Sequence, residues 1–263
     1  MGFFYWREIK MLQTVKDNLS FVVVCILIVA ILYGLSVLYE RFCMKERKKL
    51  SNTHYVTYVA IFAALAGVLM LFEIPLFFAP EFYKIDLSEI PVLICTFYLG
   101  PVAGVLTEMI KVLIKLLLKG TTTAFVGDFA NFAVGCSFVL PASMIYHAKK
   151  NRKMALLGML MGTLVMTIFG SLFNAVYLLP KFAAMFGIPL EATVGEGISI
   201  VGMGSAVNSH ITSVSTLVLF AVVPFNLIKG VVDSILTGLL YKRISPILHK
   251  GDAKKIEHKE KKV

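Results

Sequence analysis

The sequence predicts an all-α membrane protein, and three observations carry that assignment. Hydrophobic residues fill 58% of the 263 positions, against roughly 45–50% in soluble domains. Apolar runs of bilayer-crossing length recur along most of the chain. The basic residues behind the formal net charge of +10 cluster in short segments between those runs. That placement reads as a topology signal and argues against nucleic-acid binding. Cys25, Cys43, Cys95 and Cys136 stand alone, without disulfide or metal-ligand spacing, and read as small apolar residues.

Residues 1–18 read as a mixed, aromatic lead-in, followed by the apolar run Leu19–Tyr39. The run ends in Glu40-Arg41 and the basic cluster Lys45, Arg47, Lys48 and Lys49, so it is expected to be a retained transmembrane helix and not a cleaved signal. Tyr55–Phe78 is the second expected span. Its Ala60, Ala64 and Gly67 share one helix face, where small residues permit close approach of a helix of the bundle or of another membrane subunit. The stretch FAPEFYKIDLSEIPVL is polar enough to leave the membrane. Ser88 fits a helix N-cap there, with Pro91 in the first turn, and Lys84 and Asp86 precede it on a structured loop. Gly100-Pro101 divides Pro91–Lys119 into two short helices. The second carries Glu108, Lys111, Lys115 and Lys119 along one face. That stripe is expected to line the interior or to lie near an interface with its lysines snorkelling, and Glu108 with Lys111 reads as an intrahelical ion pair.

A helix through Ala130–Tyr146, kinked at Pro141, leads to the basic loop His147–Lys153, and Met154–Leu179 spans back. The Gly- and Ser-rich connector Lys181–Ser213 suits a mobile lid more than a packed element. The last span runs to about Tyr241, before a charged tail expected to be disordered. Placing the basic clusters in the cytoplasm puts the loops at 79–90, 119–128 and 180–213 outside. The domain reading is an N-terminal extension over 1–52 with its own transmembrane helix, a six-helix unit over 53–245, and a cytoplasmic tail over 246–263.

Asn174 lies shortly before Pro180, and Lys229 shortly after Pro224. At about 1.5 Å rise per residue, both sit roughly one and a half turns inside the same membrane face. A carboxamide and an ammonium in hydrocarbon are costly and mark a site by default. Lys84 and Asp86 converge on the same external half. Tyr177 and Asn226, three residues from Asn174 and Lys229, complete the candidate binding set. Asp233, one turn beyond Lys229, is placed for an i,i+4 pair with it. The chain has no GxxxxGK[ST], HExxH or GxSxG motif, which suggests a binding subunit, not an enzyme, that borrows its energy from elsewhere.

The segments FAALAGVLMLFEIPL, YKIDLSEIPVLICTFYLGPVAGVLTEMIK, LLKGTTTAFVGDFANFAVG, FNAVYLLP and VPFNLIKGVVDSILTGLLYKR together resemble the riboflavin-specific substrate-binding S-component of energy-coupling factor (ECF) transporters, over about residues 55–245. The resemblance implies a six-helix S-component in a bacterial cell membrane that captures riboflavin outside. A transmembrane coupling subunit and two cytoplasmic ATPases would drive uptake, and riboflavin would be cargo, with no cofactor. Ala60 and Ala64 match the family's AxxxA docking motif, and Asn174 and Lys229 match positions that hydrogen-bond the flavin ring. The leading helix and the long connector depart from the six-helix pattern. They leave open an S-component for another vitamin, or a flavin-supplying subunit for extracellular electron transfer.

Overall fold

The computed structural model of the protein describes residues 2–44, 51–121, 125–191 and 198–260, with side chains described over 21–44, 51–121, 125–185, 187–191 and 198–243. The basic cluster Lys45–Lys49 and parts of the 119–128 turn, the connector and the tail lie outside the described residues. The elements are α1 (Gly2–Phe42), α2 (Asn52–Leu69), β1 (Ile74–Pro75), β2 (Lys84–Ile85), α3 (Glu89–Leu99), α4 (Pro101–Lys119), α5 (Val126–Ala148) and α6 (Arg152–Phe173). A π-helical turn at Asn174–Leu178 runs into α7 (Leu179–Phe186), followed by α8 (Ile200–Ser205) and α9 (Val214–Leu217). A second π-helical turn, Val218–Val222, leads into α10 (Val223–Glu260).

Five helical segments among the described residues are long and apolar enough to cross a bilayer: Phe21–Phe42, Asn52–Leu69, Val126–Ala148, Arg152–Met185 and Val214–Arg243. The 19 residues of α4 reach about 28 Å, and its charged stripe, not its length, sets it apart. The 11 residues of α3 reach only about 16 Å, too short for a hydrocarbon core of about 30 Å. The chain reverses at Gly100, whose φ of 120° is open to glycine and costly for other residues. With that turn at the basic face, α3 begins inside the bilayer, and the loop before it dips inward.

Several boundaries differ from the sequence reading. The lead-in is helical and continuous with α1. The second span stops at Leu69, because Glu73 and Pro75 follow and the chain forms the short antiparallel pair β1–β2, with Ile74 opposite Ile85. The connector is anchored at a few of its described residues, while many others there are exposed. Ile200, Val201 and Ile211 join Ala79, Tyr83, Leu178 and Leu217 in one buried cluster, so the outer loops close on one another. The last helix runs on to Glu260 where a disordered tail was expected; many of its residues there are Lys and Glu, good helix formers.

The bundle is ordered by small residues inside and large ones outside. On α6, Leu156, Leu160, Leu164, Ile168 and Leu172 recur every fourth residue and are 42–62% exposed, as a lipid-facing stripe should be. The opposite face carries Gly158 and Gly162, which pack on α5. A Cβ at Gly158 would meet the carbonyl oxygen of Ala142 at 2.5 Å, and one at Gly162 that of Phe138 at 2.5 Å. Since lipid is as apolar as Leu, close approach takes the place of the hydrophobic effect in holding such helices together. At the outer end of the apolar span Phe21–Phe42 within α1, Phe21 meets Phe129 edge-on. Near its basic end, the Tyr39 hydroxyl donates to the Met144 carbonyl at 2.5 Å, and Glu40 accepts from the Val102 N–H at 2.9 Å. That carboxylate sits at the positive end of the α4 dipole.

Because backbone cannot yield as a side-chain tip does, Gly162→Ala should destabilise the bundle by about 1–3 kcal/mol. Thermal unfolding of the purified protein in detergent reads this directly, and an unchanged midpoint would show that α5 and α6 are less tightly apposed.

Candidate functional site

Two prolines shape the helices that carry the site. Proline lacks an N–H, and its ring collides with the carbonyl four residues back. Before Pro180 and before Pro224, the helix widens into a π-helical turn, Asn174–Leu178 and Val218–Val222 respectively. The two turns touch. The sequence reading takes Pro180 as the end of its helix, but the wider turn absorbs the conflict and the path continues to Phe186. Asn174 opens the first turn, and Asn226 and Lys229 follow the second. Such turns recur at functional sites.

Between them lies a pocket of about 120 Å³ lined by Asn174, Asn226, Lys229, Asn131 and Glu89, with Phe82, Tyr83, Phe182 and Phe225 forming aromatic walls. Asn174 is oriented on both sides. Its Oδ1 accepts from the Tyr83 hydroxyl at 2.6 Å, and its Nδ2 donates to the Gly170 carbonyl at 2.7 Å. Asn226 Nδ2 donates to the Val222 carbonyl at 3.0 Å. Asn131 Oδ1 is buried without a hydrogen-bond partner among the described residues. Phe82 packs on Phe182 with ring centres 5.7 Å apart, and Tyr83 on Phe225 at 5.4 Å.

Beneath the pocket lies a buried ion network drawn from three segments. Lys229 Nζ stands 3.1 Å from Asp86 Oδ2 and 3.6 Å from Glu89 Oε1. Lys111 Nζ stands 2.9 Å from the same Glu89 oxygen and 2.6 Å from Glu108 Oε2. All five side chains are at most 7% exposed. The expected Glu108–Lys111 pair is therefore present, but Lys111 does not snorkel; it is shared between two carboxylates in the interior. Lys115 pairs separately with Asp128. The anticipated pairing of Lys229 with Asp233 is not seen. Lys229 turns to the dipping loop, and both Asp233 oxygens lack a hydrogen-bond partner among the described residues.

The other candidates separate by position. Asp86 does not line the pocket; it stands behind Lys229 and accepts from the Ser88 N–H at 2.9 Å and from the Ser88 hydroxyl. Ser88 holds the N-cap position of α3 as expected, with Pro91 in the first turn, but its side chain caps no backbone N–H; Pro91, at the third helical position, has none to give. Lys84 sits at the mouth, paired with Glu73 at 3.5 Å, and Glu73 also accepts from Lys119 at 2.7 Å. Partial burial opposes ionisation of Glu73, but the Lys119 hydrogen bond and the surrounding lysine charges outweigh it and hold its carboxyl below the usual range. This mouth contact is thus held at neutral pH and is lost only as acid protonates Glu73 below the ordinary Glu range. Tyr177 is absent from the lining; its ring stacks on Phe173 at 5.5 Å. Ala60 and Ala64 are exposed, whereas Gly67, expected on the same face, is buried against Ile114 of α4.

The sequence reading missed Tyr83, Glu89 and Asn131. Asn131 carries the same signal as Asn174, a carboxamide in an apolar run. Glu89 stands in the first turn of an apolar helix. Tyr83 has no local signature, since only the fold of the loop brings it to Asn174.

Apolar helices enclosing a pocket with fixed polar groups near one membrane face define a membrane-embedded solute-binding component. The family model for "ECF transporter, substrate-specific component" matches residues 54–241. The riboflavin transporter RibU of Staphylococcus aureus (strain TCH60) is 33% identical over 208 residues, 78% of this chain and 98% of the relative. The riboflavin transporter FmnP of Bacillus subtilis (strain 168) is 29% identical over 189 residues, 72% of this chain and 90% of the relative. A solved chain described under "Structure and mechanism of the S component of a bacterial ECF transporter" matches with a TM-score of 0.57 and 33% identity, covering 75% of this chain and 99% of that one. The chain belongs to the family of substrate-specific components of ECF transporters. It is a multi-pass cell-membrane protein and a transporter component, not an enzyme.

Removing one partner from a buried ion network leaves the others unpaired. Lys111→Met should therefore cost about 3–5 kcal/mol. The double variant Lys111→Met/Glu108→Leu should recover much of that loss, because Lys229 still faces Glu89. Thermal unfolding of the single and double variants checks both statements.

Proposed function

We propose that the chain captures riboflavin from outside the cell as the binding subunit of an ECF importer, with Asn174 and Lys229 fixing the flavin ring. The observation that carries this is the convergence of Asn174, Asn131 and Lys229 on one aromatic-walled pocket, with Lys229 braced from behind by Asp86 and Glu89. An isoalloxazine ring is flat and apolar with an edge of donors and acceptors. An aromatic slot with a few fixed polar groups suits it. The names of the relatives, both riboflavin transporters, support the same ligand. A pocket of 120 Å³ is below the roughly 300–1,000 Å³ usual for small-molecule sites. On this reading, ligand entry moves Phe82 and Tyr83 of the dipping loop outward, and Lys84 stands at the entrance.

The binding unit spans residues 53–245, and the 1–52 extension docks on α4 and α5 through α1. Ala60 and Ala64 lie on an exposed face of α2 beside Val56, Ile61, Leu65 and Val68. That low apolar strip suits close packing by a transmembrane coupling subunit, which would link the chain to two cytoplasmic ATPases. The chain binds, and its partners supply the energy.

Titration of the purified protein with riboflavin tests the reading. Asn174→Ala should weaken binding by about 1–3 kcal/mol, and Lys229→Ala by at least as much, since charged hydrogen bonds are stronger. Ala64→Trp should bind riboflavin as the parent does yet fail to co-purify with the coupling subunit. Unchanged affinity in both site variants would refute the assignment.

A further inference from the structure

A wide cleft lies at the opposite end from the proposed vitamin site, where α5, α6 and α10 meet beside the basic loop. It holds about 560 Å³. Its rim is basic: Lys150, Arg152 and Lys242 line it, with no acidic residue among the lining groups, and none of the three has a salt bridge among the described residues. The N-terminus of the 22-residue α6 opens on the same rim, capped by Asn151, which accepts from the Met154 N–H at 2.9 Å. The helix dipole adds positive potential there. Deeper in, Thr237 is fully buried, and its hydroxyl and that of Ser234 have no hydrogen-bond partner among the described residues; both residues line the cleft. Leu156, Ile235 and Leu239 make its sides, each more than half exposed, so the cleft is open to the hydrocarbon.

A basic rim, two unsatisfied hydroxyls and an apolar wall open to the bilayer specify an amphiphile with an anionic head. We propose that this cleft binds an anionic phospholipid of the cytoplasmic leaflet. The phosphate lies among Lys150, Arg152 and Lys242, the headgroup hydroxyls or ester oxygens meet Ser234 and Thr237, and an acyl chain runs along Leu156 and Leu239. Orphaned hydroxyls in a buried site are costly, and a lipid oxygen satisfies them. Basic pockets between transmembrane helices on the cytoplasmic side are where anionic lipid heads bind. An unpaired basic rim matches an anionic lipid better than a zwitterionic one, and the bilayer keeps such a lipid at high local concentration. Since α10 also carries Lys229, the lipid ties the inner end of the site helix to α6.

Native mass spectrometry of the full-length protein, with phosphatidylglycerol or phosphatidylcholine of the same chains added, tests this. Phosphatidylglycerol should be retained and phosphatidylcholine should not, and inorganic phosphate alone should not displace it. Lys150→Gln/Arg152→Gln should weaken retention by roughly 10- to 30-fold. Lys149→Gln/Lys153→Gln removes the same net charge from the same loop but outside the cleft, so it should stay within about twofold. Thr237→Val should cost about fivefold. Should the first double variant fail to fold, Lys242→Gln reads the same quantity. Equal losses in the two double variants would reduce the effect to diffuse attraction and overturn the proposal. So would equal retention of the two lipids, displacement by phosphate, or loss of coupling-subunit co-purification with lipid retention unchanged.

Discussion

The contact between Lys229 and the dipping-loop carboxylate Asp86 is the constraint on which the rest of the structure depends. An ammonium in the interior of an apolar bundle has no stable position unless anions reach it. Asp86 and Glu89 reach it only because α3 is too short to cross, so its first turn starts inside the bilayer. Lys111 and Glu108 of α4 then complete the arrangement through the shared Glu89 oxygen. Three segments distant in sequence are tied at one point, and that point lies directly behind the pocket. A buried ion network of this kind is weak evidence for stability, since apolar replacements often do as well. Its value here is directional: it holds a positive group toward the cavity.

The paired prolines do the complementary work on the other wall. A regular α-helix through Pro180 or Pro224 would leave a carbonyl unpaired and crowded. The π-helical turns relieve the crowding, and the two turns lie against each other. Asn174 is further fixed by Tyr83 and Gly170. When Tyr83 moves out for a ligand, the Gly170 contact still orients the carboxamide and frees its oxygen, which lowers the ordering cost of binding. The outer loops that cap the pocket pack on one another through Ala79, Tyr83, Ile200 and Ile211.

Much of this was legible in the sequence, for identifiable reasons. Cost in hydrocarbon pointed to Asn174, Lys229 and the Glu108–Lys111 stripe, and Gly100-Pro101 marked the helical break. Other features were not legible because they are set by contacts between distant segments. Lys229 has Asp233 one turn away on its own helix, and local spacing favours that pair; the fold brings Asp86 closer. Tyr177 shares a helical segment with Asn174, but the widened turn leaves it stacked on Phe173, outside the cavity. The connector reads as mobile from its glycines, whereas its few large residues, Ile200, Val201 and Ile211, anchor it. Gly67 lies on the same helical face as Ala60 and Ala64 but is buried against Ile114 of α4, a contact set by a distant segment.

The central claim is that the ion network presents Lys229 to a flavin ring while Asp86 keeps its hold. An experimental structure of the full-length protein with riboflavin bound tests it most directly. The expected result is the polar edge of the isoalloxazine within about 3 Å of both Asn174 and Lys229, with Phe82 and Tyr83 displaced outward and the Lys229–Asp86 contact intact. Riboflavin lodged elsewhere in the bundle, or Lys229 still turned to its carboxylates with no ligand atom in reach, would contradict the account.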